Sequence, residues 1–169
     1  MAADPAGIWR TATPAWAPPV VEVVPGDMAG RYLVENICND IKAGLAYSDI
    51  GILCAHKYQT EKFQDCLARH KIPAYWLVKD AESKKNYDAG ADKVLLSTVH
   101  SAKGLEFEKV YFMNLEVFPL DYLNERENAS MVYVAMTRAK KQLTIVSGSR
   151  TPTFARISET VAKYCADCG

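Results

Sequence analysis

The sequence predicts an α/β domain: a parallel sheet flanked by helices on both faces. Three observations carry this. From Val20 onward, short β-branched runs alternate with helical apolar stripes, the order that builds parallel strands joined by crossing helices. Runs such as Asp49 to Cys54 read as short buried strands. The chain of 169 residues, 49% of them hydrophobic, is long enough to bury roughly 70% of its unfolded surface without a disulfide or metal staple.

The elements follow in order. Residues 1–19 hold four prolines among Ala, Thr and Gly, which suits a linker or a cut end. Trp9 and Trp16 are large aromatics that normally find a surface to cover. Val20 to Val24 reads as a strand, Pro25-Gly26-Asp27 as a turn with Asp27 as N-cap, and Ala29 to Ala43 as a helix stopped by Gly44. Asp49 to Cys54 is the next strand. Gln59 to Arg69 is a helix striped by Phe63, Cys66 and Leu67, broken at Ile72-Pro73. Ala74 to Val78 is a strand, and the polar stretch Lys79 to Asp92 an exposed connection. Lys93 to Thr98, Lys109 to Met113 and Gln142 to Ser147 are further strands, with helices at Glu125 to Met136 and Phe154 to Tyr164. The organisation expected is a linker at 1–19, one domain at 20–149, and a C-terminal helix and tail at 150–169.

Composition excludes several classes. Twenty Lys+Arg balance twenty Asp+Glu, so a histone-like cationic grip on nucleic acid is ruled out and any polyanion contact must be local. No window reaches the ~18 apolar residues of a membrane span. The first twenty residues lack the apolar core of a secretory signal, which points to a cytoplasmic protein. The five cysteines are odd in number and read as reduced thiols. Cys165 and Cys168 have knuckle spacing but no second pair to complete a metal site, so a frayed tail is the reading.

The chemistry concentrates in two runs. In Ser97-Thr98-Val99-His100-Ser101-Ala102-Lys103-Gly104-Leu105-Glu106-Phe107, an apolar strand ends in a loop holding a hydroxyl, an imidazole, an ammonium, a glycine and a carboxylate. Ligands of open parallel sheets bind outside the carboxyl ends of strands, and this loop is expected to lie at such an end. Gly104 permits close backbone approach, and Lys103 is a point charge suited to phosphate. In Val132 to Leu143, an apolar helix delivers Thr137 and Arg138 just before a strand, placing one guanidinium fork where it can hold phosphoryl oxygens.

Together these runs resemble motifs V and VI of the UvrD/Rep family of superfamily I DNA helicases, which pair T-x-H-x-x-K-G-L-E-F with Y-V-A-L/M-T-R-A. The block from Val20 to Ser147 resembles their second, C-terminal RecA-like domain, and Ser48 through Ile72-Pro73 resembles the segment around motif IV. The resemblance implies that Arg138 is an arginine finger reaching ATP on a partner domain. It further implies that Lys103 touches the terminal phosphate, that Glu106, with Gly104 near it, holds the ribose, and that Thr98 and His100 face single-stranded DNA. It also implies ATP with Mg2+ held mainly by an N-terminal RecA-like domain, in cis or in trans.

Four departures from the family pattern stand out. Ala55 occupies a position where the family usually has an arginine, with His56 and Lys57 alongside as substitutes. Glu127-Asn128-Ala129-Ser130-Met131 replaces an acidic-arginine stretch. The gap from Val78 to Lys93 is too short for the accessory domain many relatives insert. No segment matches a G-x-x-x-x-G-K-[ST] phosphate loop, so no ATP hydrolysis is expected from this chain alone. Two other functions remain: a degenerate RecA-like module with a binding or regulatory role, and a nucleotide-independent nucleic-acid binder. Plainer readings also stand for single residues. Glu106 could pair with Lys109, Arg138, Lys140 and Lys141 could serve as helix C-terminal cations, and Tyr133 and Met136 read as core.

Overall fold

The computed structural model describes residues 17–167. Among them are six strands, β1 (Val20–Val23), β2 (Ile50–Cys54), β3 (Ala74–Trp76), β4 (Val94–Thr98), β5 (Phe107–Phe112) and β6 (Ala139–Ser147), and four helices, α1 (Ala29–Lys42), α2 (Lys57–Arg69), α3 (Glu125–Met136) and α4 (Pro152–Asp167). The strands form one sheet in the order β1-β6-β5-β2-β4-β3, with every neighbouring pair parallel. Helices cover both faces, as the alternation predicts. This is a RecA-like α/β fold.

The central strands are near-continuous apolar runs because both faces are covered. Ile50 to Cys54 is buried throughout. One face packs Ile50, Ile52, Tyr111 and Val146 against Leu33, Val34 and Ile37 of α1 and Phe63, Cys66 and Leu67 of α2. The other packs Leu53, Val110, Phe112 and Ile145 beneath the 99–106 segment, α3 and Phe154 of α4. Gly51 is a steric requirement of this arrangement: a Cβ there would meet the Phe107 ring at 2.5 Å.

Local signals set the element ends. Lys42 is the last residue of α1, Ala43 caps it, and Gly44 follows at φ +105. Leu45 N–H bonds Asp40 O and Gly44 N–H bonds Ile41 O, the paired contacts of a Schellman ending that glycine accommodates without strain. At the other end, Met28 is the N-cap and no side chain caps the helix, so Asp27 does not have the role its residue type suggested. Helix α2 begins two residues earlier than predicted, because Gln59 accepts a hydrogen bond from His56 N–H and fixes the turn. It ends at Arg69, as predicted, and Lys71 follows in the left-handed region at φ 58.

The connection 79–92 is largely exposed but tied down. Asp80 Oδ1 accepts from the Glu82 and Ser83 backbone and from Ser83 Oγ, and Tyr75 OH donates to Ser83 O at 2.7 Å. Ahead of β1, Ala17 N–H bonds Lys141 O on β6 at 3.2 Å. Trp9, Trp16 and Cys168 lie outside the described residues. Tyr133 is 51% exposed, so it is not core: α3 turns that side to solvent. Lys140 and Lys141 stand in β6 rather than at a helix end, and Lys141 pairs with Glu108 at 2.7 Å.

Candidate functional site

The run from Thr98 to Phe107 does more than form a loop at one strand end. Strand β4 and strand β5 both flank β2 in the same direction, with Cys54 level with Thr98 and Leu53 level with Phe112. The eight residues between them therefore carry the chain from the carboxyl edge of the sheet back to its amino edge, about 20 Å at the rise of a strand. The expectation that the whole loop sits at the carboxyl edge holds only for its start. Thr98 and His100 lie at that edge; Gly104 and Glu106 finish at the opposite one.

The traverse is a series of tight turns. Ala102 N–H bonds Thr98 O, Leu105 N–H bonds Ala102 O at 3.0 Å, and Ser101 N–H donates to Thr98 Oγ1 at 3.3 Å. Val99 and Ala102 are buried and anchor it to the sheet. Around these anchors His100, Lys103, Gly104 and Glu106 are exposed. Gly104 has φ +88, a conformation that glycine adopts without a Cβ clash.

Arg138 arrives at the amino edge from α3. That helix runs down the second face, Thr137 caps it, and β6 starts at Ala139. Phe107 N–H bonds Arg138 O at 2.9 Å, so Glu106 and Arg138 head adjacent strands. The half-buried guanidinium is held by its own turn: Nε donates to Val134 O at 3.1 Å, and Nη2 to Thr137 Oγ1 at 3.3 Å. Nη1 points to Leu105 O at 3.4 Å. The structure thus brings Arg138 together with the Lys103–Glu106 segment and separates both from Thr98 and His100.

Glu106 does not pair with Lys109. The Lys109 ammonium turns into the first face and meets Asp40 Oδ1 at 2.6 Å, while Tyr111 OH donates to Asp40 Oδ2. Burial first, and the Asp40 carboxylate second, push the Tyr111 hydroxyl far above its ordinary value. Burial likewise raises Tyr32, which also bonds Glu22. This network lies on the α1 face of the sheet.

The carboxyl edge holds features that motif reading missed. After β2 the chain turns to α2 on the first face, and after β5 it turns toward α3 on the second; the two strands are neighbours, so a crevice opens between their connections. This is the topological switch point where open parallel sheets take ligands. A groove of about 600 Å3 lies there, walled by Tyr58, Lys62, Arg69, Asn114 and Glu116 among others. Ala55 and His56 sit at this edge and Lys57 is held to Lys79 O at 2.7 Å, so none of the three reaches Arg138. Nothing in the local sequence pattern marks the groove, because its walls come from three separate segments. Among the described residues no cluster of His, Cys, Asp or Glu could hold a metal ion, and no helix is long and apolar enough to cross a membrane.

Residues 76–150 match the UvrD-like helicase C-terminal domain family. The ATP-dependent DNA helicase PcrA of Bacillus subtilis is 33% identical over 86 residues, covering 47% of this chain and 12% of PcrA. The ATP-dependent DNA helicase Rep of Escherichia coli is 36% identical over 80 residues, 44% of this chain and 12% of Rep. The chain thus spans only about an eighth of the length of these relatives. Among solved structures, the C-terminal domain of a possible DNA helicase from Lactobacillus plantarum superposes with TM-score 0.65 at 24% identity, covering 86% of this chain and 84% of that one. The Pyrococcus furiosus Hef helicase domain gives TM-score 0.52 at 18% identity over 78% of this chain and 27% of its own. Both solved structures share the fold.

Proposed function

We propose that this chain, whose residues 76–150 match the UvrD-like helicase C-terminal domain, is the second motor domain of a DNA helicase that draws on ATP bound elsewhere. The observation that carries this reading is the meeting of Arg138 with the Lys103–Glu106 segment at one sheet edge while Thr98 and His100 stand at the other. A nucleotide at the amino edge and single-stranded DNA at the carboxyl edge would be joined by one eight-residue traverse, which gives ATP-driven closure a direct route to the DNA track. Arg138 acts as arginine finger, Lys103 meets the terminal phosphate, and Glu106, beside Gly104, holds the ribose. ATP and Mg2+ sit mainly on an N-terminal RecA-like domain that supplies the phosphate loop.

A second reading has its own support. The Arg138 guanidinium already donates to Val134 O, Leu105 O and Thr137 Oγ1, which suits a structural role in a non-catalytic module.

Reconstitution separates the two. Mixed with a phosphate-loop domain, the chain should support DNA-stimulated ATP hydrolysis that Arg138→Ala abolishes. A well-folded pair showing no stimulation would leave the binding-module reading. Binding of single-stranded DNA by this chain alone is expected to be weak and to fall steeply with salt, because phosphate contacts release counterions.

A further inference from the structure

Three aromatic rings stand together on the carboxyl edge, two of them, Tyr58 and Tyr122, with no place in the motifs above. His56 stacks on Tyr58 with centroids 5.4 Å apart and planes 15° from parallel, and Tyr122 tilts against the other side of the cluster at 6.0 Å from His56. Tyr58 is 57% exposed and Tyr122 67%. Isolated exposed aromatics are ordinary, but a contiguous exposed group marks a contact surface. The cluster is also built. His56 caps α2 through Gln59. The loop carrying Tyr122 is held by buried Asn128, whose side chain bonds Leu120 N–H and O, Leu123 O and Asn124 O.

Its surroundings select the occupant. Val99 N–H bonds Cys54 O, so His56, two residues on, shares its edge with Thr98 and His100. Tyr58 is also a wall of the 600 Å3 groove, which holds Lys62, Arg69 and the Glu35-paired Arg31 against the acids Asp27 and Glu116. Glu116 is turned inward onto Gly148 N–H at 2.6 Å. Open π faces beside a cation-rich groove match the stacking-plus-backbone recognition of single strands.

We propose that His56, Tyr58 and Tyr122 form a stacking platform for the bases of single-stranded DNA, with the phosphates running into the groove beside Lys62 and Arg69. This rests on the DNA-track reading above and adds its own residues to it.

The test compares binding of labelled oligo(dT) with that of an abasic oligodeoxynucleotide of equal length, by anisotropy at low salt, to the full chain and its variants. Oligo(dT) should bind more tightly than the abasic strand. Tyr58→Ala and Tyr122→Ala should each weaken oligo(dT) by roughly 5- to 100-fold and leave the abasic strand unchanged, whereas Tyr58→Trp and Tyr122→Trp should retain oligo(dT) binding; both side chains are exposed, so thermal unfolding should not move. Equal binding of the two strands, unaffected by either alanine, overturns the platform and leaves the Thr98–His100 track standing. Failure of both strands to bind at low salt overturns the track and the platform together.

Discussion

The guanidinium Nη1 of Arg138 lies 3.4 Å from the carbonyl oxygen of Leu105, the residue between Gly104 and Glu106. That bond is long and to a neutral acceptor, so it holds the fork in place without neutralising it. Nε makes the firmer bond, to Val134 O at 3.1 Å. Replacing Arg138 by Lys keeps a cation and loses the fork. In the reconstituted ATPase, Arg138→Ala is expected to cost about 10³ to 10⁵ in turnover, and Arg138→Lys nearly as much, because a point charge does not reproduce bidentate geometry. Thermal unfolding of the isolated chain should shift only by the few degrees that a net loss of about 1 kcal/mol brings. A large stability loss with unchanged turnover would assign Arg138 to the fold instead.

The core reaches this site through Gly51 and Phe107. A Cβ on Gly51 would come within 2.5 Å of Phe107 Cδ2, and Phe107 N–H is bonded to Arg138 O. Gly51→Ala must therefore displace either β2 or the ring that begins β5. We expect a loss of about 1–3 kcal/mol from overpacking, read by denaturant unfolding. Arg138-dependent ATPase should also fall, although residue 51 lies within the buried sheet. Restoring space with Phe107→Leu in the same chain should recover part of both; absence of any rescue would disconnect the two positions.

Much of the fold was legible because it is written in short periods. The apolar run at 50–54 and the stripes at Leu33/Ile37 and Phe63/Cys66/Leu67 report a two-sided sheet and one-sided helices directly. The order of the strands was not legible. Strand β2 inserts between β5 and β4 by long-range pairing, so the sequence does not reveal that residues 99–106 cross the sheet, nor that Glu106 ends at the edge opposite Thr98. Lys109 looked free to meet nearby Glu106 because its partner, Asp40, lies 69 positions away on α1. Tyr133 misled through its apolar helix, of whose residues only Asn128 and Ala135 are buried. The His56–Tyr58–Tyr122 cluster was invisible because its third ring comes from a loop 64 residues beyond Tyr58.

The Asp40–Lys109–Tyr111 network makes a pH prediction. Burial and the Asp40 carboxylate keep the Tyr111 hydroxyl protonated in the folded chain well above its unfolded value near 10. The protonated form is thus favoured by folding: its contribution is complete below about pH 10 and is lost as pH rises further, since only the unfolded chain then releases the proton. Stability should fall above pH 10 with a share of about 1.4 kcal/mol per pH unit from this group. Tyr111→Phe should flatten that limb by the same amount, measured by unfolding midpoints across alkaline pH. At neutral pH, Lys109→Met leaves Asp40 buried without its cation and is expected to cost about 3–5 kcal/mol, whereas Asp40→Leu with Lys109→Met should recover most of it.

Asn128 tests whether the loop after β5 is a built support or a passive connection. Its Oδ1 accepts from Leu120 N–H at 2.6 Å, and its Nδ2 faces the carbonyls of Leu120, Leu123 and Asn124 at 3.1 Å each. These bonds bracket Tyr122 on both sides in sequence. Removing the amide strands several buried backbone groups, so Asn128→Ala should cost about 1–3 kcal/mol, visible in denaturant unfolding. Asn128→Asp keeps an acceptor for Leu120 N–H but sets a carboxylate against three carbonyl oxygens, and should be at least as damaging at neutral pH, recovering as acid protonates it. Because the loop carries a ring of the His56 cluster, both variants should also weaken oligo(dT) binding while leaving the salt dependence of the remainder intact. A loss of stability with unchanged oligo(dT) affinity would mean that Tyr122 needs no fixed loop to act.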